Sequence, residues 1–190
     1  MRVITLDKST YATIPGGVSV STKKLKMMRP DLYGLKGLVN IWGWYEKRHI
    51  KEHLLYGATE PAIVMSKKPF VVAAYTEDID CVALLKFPDE YAEMYNLDIK
   101  SRLISINTYG AEQTFQDDIL PGQNCDNTWT SFSQYIVDFL TDDIDVLISH
   151  KEQMDNDLWE YVYNLVLEYQ VRHPNTWRDG RPYFAAISAL

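Results

Sequence analysis

Three apolar, β-prone runs stand close together: Ala62-Ile63-Val64-Met65, Phe70 to Tyr75, and Cys81 to Phe87. Only Lys67-Lys68-Pro69 and Glu77-Asp78-Ile79-Asp80 separate them. A crossover between parallel strands takes about a dozen residues or more, so links this short leave antiparallel pairing. Pro88 then opens a short helix through Tyr95, because proline suits a first helical position. A fourth run, Arg102 to Tyr109, alternates in its middle. Ile104 and Ile106 face one way, and Ser105 and Asn107 the other, the pattern of a half-buried strand. Residues 62–109 are therefore expected to form an antiparallel β-meander.

Helical spacing frames this segment. Leu35, Leu38, Val39, Trp42, Tyr45 and Tyr56 recur at three, four and seven residues or their sums, predicting a long N-terminal helix to about Gly57. The first 34 residues read as short β-prone pieces, Val3 to Leu6 and Val18 to Val20, around a turn at Ile14-Pro15-Gly16-Gly17. Residues 110–130 read as a long polar loop. Ser131 is a good N-cap for a helix carrying Phe132, Tyr135, Ile136, Phe139 and Leu140. Asp157 to Tyr169 gives a further helix, stopped by Pro174. The expected architecture is one α+β domain over residues 1–190: the meander packed against a long N-terminal helix and two C-terminal helices.

The chain has 190 residues and a formal net charge of −7. That charge argues against a nucleic-acid binder, which needs a basic footprint. No apolar run has the length of a signal peptide core or a membrane helix, and no Cys-x-x-Cys or zinc-finger spacing occurs. Cys81 sits in an apolar stretch and Cys125 in a polar loop. A reduced, cytoplasmic protein without membrane association is expected. GxSxG, GxxxxGK[ST] and GxGxxG are all absent.

One string could carry chemistry. His49-Ile50-Lys51-Glu52-His53 resembles the HxxEH string of the inverted zinc metallopeptidases. On a helical wheel His49 and His53 fall within about 20° of Trp42, with Glu46 at about 40°. The resemblance implies zinc held by His49 and His53 with Glu52 as the base that activates water; Glu46, which the wheel places beside the histidines, or a distant carboxylate would complete the shell. Glu52 falls at about −80°, off that arc. The plainer alternative is that the histidines extend an amphipathic helix face and hydrogen-bond at its rim. His150 and His173 have no nucleophile nearby.

The charge is unevenly distributed. Residues 1–60 hold ten Lys or Arg against five Asp or Glu, whereas residues 112–160 hold twelve carboxylates and one Lys. Asp142, Asp143 and Asp145 form one acidic cluster; Asp155 and Asp157 belong to a second. Neither has EF-hand spacing. Such a block attracts a basic partner, or simply keeps the protein soluble. Trp44, at about 200° on the wheel among Lys47, Arg48 and Lys51, is a candidate contact residue. Arg178 and Arg181 flank a turn and could clamp a carboxylate or phosphate, or pair with nearby acids. In size and acidity the chain resembles small acidic bacterial immunity proteins that neutralise basic toxins, a resemblance of charge and not of motif. The leading expectation is a non-catalytic protein-interaction domain without a cofactor, binding a basic protein through its acidic surface. The alternative is a small zinc-dependent hydrolase centred on His49, Glu52 and His53.

Overall fold

The computed structural model describes residues 12, 14–34, 41–109, 118–125 and 132–183. The readings placed on Val3 to Leu6, on Leu35, Leu38 and Val39, and on Ser131 lie outside these residues. Seven strands form one sheet: β1 (Ala58–Lys67), β2 (Phe70–Thr76), β3 (Cys81–Phe87), β4 (Arg102–Tyr109), β5 (Ile119–Pro121), β6 (Phe132–Ile136) and β7 (Arg178–Asp179). Their order is β5-β3-β2-β1-β4-β6, and β7 pairs with β3. All pairs are antiparallel except β3 with β7. Five α-helices accompany it among the described residues: α1 (Thr22–Met28), α2 (Ile41–Tyr56), α3 (Glu90–Met94), α4 (Ile144–Gln153) and α5 (Asn156–Arg172). None is long and apolar enough to cross a membrane.

The meander holds for β1 to β3 and must be corrected for β4. After α3 the chain crosses to the far side of β1, where Ile104 faces Pro61 and Leu103 faces Ala62. β4 is thus an inner strand between β1 and β6, buried from Leu103 to Asn107. Ser105 and Asn107 do not face solvent as their alternation predicts. The Ser105 hydroxyl donates to Asn107 Oδ1 (2.6 Å), and Asn107 Nδ2 donates to the Tyr75 carbonyl (2.7 Å). Two buried polar side chains are tolerable here because they satisfy one another and the backbone.

The helix expected over 131–140 is a second correction. Phe132–Ile136 is strand β6, registered on β4 from Tyr109↔Phe132 to Ser105↔Ile136, and Val137–Phe139 is a 3₁₀ turn. A short aromatic and β-branched run fits either period, and the open edge of β4 decided between them. Where β6 turns away, Asp138 Oδ2 accepts the next free β4 amide, Ile104 N–H (2.8 Å), and Oδ1 pairs with Lys151 (2.6 Å). The two C-terminal helices are therefore α4 and α5, begun by Asp143 and Asp155, whose side chains accept from Val146 N and Asp157 N. Upstream, residues 22–28 are helical: Ser21 caps α1 by accepting from Lys24 N, and Leu25 and Met28 are buried one turn apart.

Helix α2 extends to Tyr56, but its inner face differs from the wheel reading. Gly43, Ile50, His53 and Leu54 are the buried positions, and Trp42 is 65 % exposed. Their mean direction is about 80° from Trp42 at 100° per residue. Apolar residues lie all round this helix, so spacing alone could not choose the face. Ile50 and Leu54 are fully buried, each worth about 1.5–3 kcal/mol. They belong to one hydrophobic cluster with Ile104, Ile106 and Tyr135, which share a face of the sheet by register. On that same face Val162 and Val166 of α5 cover Ile63, Ala73 and Leu84.

Candidate functional site

The pairing register leaves a notch in the sheet. β1 pairs with β4 from Ala58 onward, yet its pairing with β2 begins only at Ala62↔Ala74. On its other edge Ala58 bridges to Pro15 and the Thr59 amide donates to the Ile14 carbonyl (2.9 Å), so among the described residues Glu60 and Pro61 have a strand partner on one side alone. A proline, which lacks an N–H, is admissible where one edge of a strand is unpaired. β2 ends at Thr76 and turns at Glu77, while the end of α4 and the start of α5 pass over the gap. The result is a cavity of about 460 Å³. Ile14, Pro61, Met154 and Leu158 supply apolar wall; Glu60, Glu77, Asp155 and Asp157 also line it, and among the described residues no lysine or arginine does.

Three polar groups of its lining residues are poorly satisfied among the described residues. Glu60 is 7 % exposed and accepts one long hydrogen bond, from Glu77 N–H at 3.3 Å. Burial pushes its carboxyl up to about 8, with the negative charges of Asp78 and Glu77 adding to the shift and the Glu77 amide opposing it. Among the described residues, Thr59 Oγ1 and His150 Nδ1 are buried without a hydrogen-bond partner. His150 Nε2 lies 2.9 Å from the Gly16 carbonyl, which can only accept. Nε2 therefore carries a proton, and in the neutral imidazole Nδ1 presents a lone pair.

A second buried carboxylate nearby shows what full satisfaction looks like. Asp80 accepts from Tyr75 Oη (2.8 Å), Tyr161 Oη (2.9 Å) and Asn124 N (2.7 Å). It holds φ at +45°, a region that Asp and Asn tolerate better than most residues. Asp80 fastens the β2–β3 turn to α5 and to residues 122–124. Glu60 fastens nothing comparable.

The structure sorts the other candidate residues clearly. Asp155 and Asp157 reach the cavity. Asp142, Asp143 and Asp145 do not line it: Asp142 faces Lys24 (3.6 Å), Asp143 caps α4, and Asp145 lies in that helix's first turn. Arg178 pairs with Asp118 through two nitrogens and Arg181 pairs with Asp179, so each guanidinium has a carboxylate. Trp44 is 61 % exposed, with the Arg48 guanidinium 5.9 Å from its ring centroid.

The residues of the zinc reading are engaged separately. Glu46 takes Arg29 Nη1 (2.8 Å), a buried guanidinium that also binds Asp31 and the Pro182 carbonyl. Glu52 takes Arg48 (2.7 Å) and stands 3.9 Å from His49 Nδ1, and His49 lies edge-on to Tyr45. His53 is stacked on Tyr135, donates from Nε2 to the Ile106 carbonyl (2.7 Å), and accepts at Nδ1 from Thr108 Oγ1 (3.1 Å). Among the described residues, no three His, Cys, Asp or Glu side chains are grouped so as to hold a metal ion.

His53 gives a testable pH effect. Burial holds its imidazole down to about 4, against an ordinary value of 6.5. The unfolded chain binds a proton that the native state refuses between those values, so stability falls as pH drops from 6.5 toward 4. Each unit is worth about 1.4 kcal/mol, which makes the loss up to about 3 kcal/mol. Urea unfolding of the wild type at pH 7 and pH 4.5 should show this fall, and His53→Gln should reduce it. Equal slopes in both proteins would refute the assignment.

Sequence reasoning missed Glu60, Glu77, Thr59 and His150. The available signal was Glu60-Pro61 at the head of a β-run, a charged residue and a helix breaker where an inner strand begins. It also read the cysteines as unrelated, whereas their sulfurs stand 3.6 Å apart. Comparison with protein family models, with curated proteins and with solved structures returned no match to this chain.

Proposed function

We propose that the chain is an interaction domain that recognises a basic partner protein, and that the face around the notch is where the partner docks. The observation that carries this reading is that Glu60, Glu77, Asp155 and Asp157 line one cavity with no lysine or arginine among its described lining residues. Elsewhere, the arginines nearest acidic groups are already paired: Arg29, Arg178 and Arg181 each have a carboxylate. A carboxylate group left without internal counter-charge raises a local negative potential that steers cationic surfaces and speeds encounter. Asp142 and Asp143, with a lysine contact and a helix cap to maintain, are secondary in this reading.

The test uses nona-arginine as a model basic ligand. Binding measured by fluorescence anisotropy should be detectable at low salt and weaken steeply as salt is raised. The triple variant Glu77→Gln, Asp155→Asn, Asp157→Asn should lose at least about tenfold in affinity, the scale of one lost charged contact. Asparagine at 155 preserves a capping oxygen, so α5 keeps its start. Neutralising Asp142 and Asp145 should matter less. Absence of binding at low salt, or equal loss from both sets of substitutions, would overturn the proposal.

A further inference from the structure

We propose that Cys81 and Cys125 are an oxidisable pair, which a peroxide converts into a disulfide that fastens residues 122–125 to the start of β3. The proposal stands apart from the docking face, since neither cysteine lines the cavity.

The fold, and not the sequence, brings the two thiols together. They are 44 residues apart along the chain, yet their sulfurs lie at 3.6 Å with no bond between them. Disulfide sulfurs are about 2.0 Å apart, so closure needs a further approach of about 1.6 Å. Cys81 is poorly placed to move, being fully buried in β3 and registered between Thr76 of β2 and Pro121 of β5. Cys125 is better placed: it follows β5, outside regular structure, and is half-buried. Its segment is still anchored close by. Gly122 N–H donates to the Asp80 carbonyl (2.7 Å), Asn124 N–H to Asp80 Oδ2 (2.7 Å) and Gln123 N–H to Tyr161 Oη (3.3 Å). Cysteines packed with Ala83, Ile119 and Phe132 could serve as small hydrophobes alone. Two features exceed that role: the sulfurs touch each other, and one of them is reachable from solvent.

Exposure divides the work between them. The Cys125 sulfur gives up its proton and attacks the peroxide; an S–O bond forms, the O–O bond breaks, and the departing oxygen takes up that proton. With hydrogen peroxide the products are a sulfenic acid and water. Cys81 S–H donates to the Ile79 carbonyl (3.2 Å), which leaves sulfur lone pairs for its neighbour. Its sulfur then attacks that of Cys125: the S–S bond forms, the S–O bond breaks, and the hydroxyl leaves with the Cys81 proton as a second water. Both thiols are oxidised, two electrons pass to the peroxide, and a thiol reductant reverses the change.

The link has a structural effect. Strand β5 has three residues and three register pairs with β3, so its attachment rests on few bonds. A covalent tie just beyond its end secures it, and closing the loop from Cys81 to Cys125 removes entropy from the unfolded chain. The oxidised protein should melt about 5–15 °C above the reduced one.

The test treats reduced wild type, freed of reductant, with a small excess of hydrogen peroxide, followed by non-reducing peptide mass spectrometry and thermal unfolding. The expected result is a Cys81–Cys125 link within one chain, loss of both thiols to a thiol-reactive dye, and the rise in Tm, all reversed by dithiothreitol. Cys125→Ser should show neither link nor rise. Cys125 oxidised to a sulfinic acid beside an intact Cys81 thiol would overturn the proposal. So would links formed only between chains, or a linked protein whose Tm does not rise.

Discussion

Glu60→Gln is expected to make the protein more stable at alkaline pH. In the unfolded chain this carboxyl ionises near its ordinary value of 4.5, whereas burial in the native state delays ionisation to about 8. Between those values the native state holds a proton that the unfolded chain has released, so wild-type stability falls as pH rises through the interval. At about 1.4 kcal/mol per unit, the cost reaches at most about 5 kcal/mol above pH 8. Glutamine keeps the shape and cannot ionise, so its variant should lack this decline. Urea unfolding at pH 5 and pH 8.5 measures both slopes. The gain should be large at pH 8.5 and small at pH 5; parallel curves for the two proteins would show that Glu60 is solvated in the native state.

Asp80→Ala should have the opposite character and lower stability at every pH where the fold survives. The substitution strips an acceptor from two tyrosine hydroxyls and one backbone amide at once. It also places a β-carbon residue without a polar end at φ +45°. Hydrogen bonds to a charged group contribute about 1.5–3 kcal/mol each and are not additive, so a loss of about 3–5 kcal/mol is expected. That corresponds to a fall in Tm of about 6–20 °C for a chain of this size. Asp80→Asn should cost less, since asparagine tolerates the backbone and retains one acceptor oxygen. Thermal unfolding that leaves both variants within a degree or two of wild type would remove Asp80 from its fastening role.

The fold was legible where local rules governed it. Links as short as Lys67-Lys68-Pro69 allow only a hairpin, and Pro88 announces α3, so β1 to β3 and the helix after them follow from adjacent residues alone. What the sequence concealed was set by distant partners. Phe132 to Ile136 could wind as a helix or extend as a strand, and the vacant edge of β4 settled it. Ser105 and Asn107 look solvent-facing until β1 and β6 enclose β4 on both sides. The candidate site was partly visible for the same reason. Asp155 and Asp157 stand out as acids beside a helix start, but Glu60 acquires meaning only when β2 turns away at Glu77 and leaves that edge of β1 without a neighbouring strand. His150 reads as isolated because its partner, the Gly16 carbonyl, comes from the opposite end of the chain.

The outer edge of β3 is shared by two short strands: β5 covers Cys81 to Ala83, and β7 covers Leu85 and Lys86. Gly180 then lies flat against the Phe87 ring, where any side chain would collide with it. These covers come from far downstream, so during synthesis an apolar strand edge stands open long after its hairpin partners have been made. A strand in that condition is a template for pairing with another copy. The hazard ends when residues 178–180 leave the ribosome and close the edge, which makes this small parallel strand a guard on the nascent chain as well as an ornament of the finished sheet.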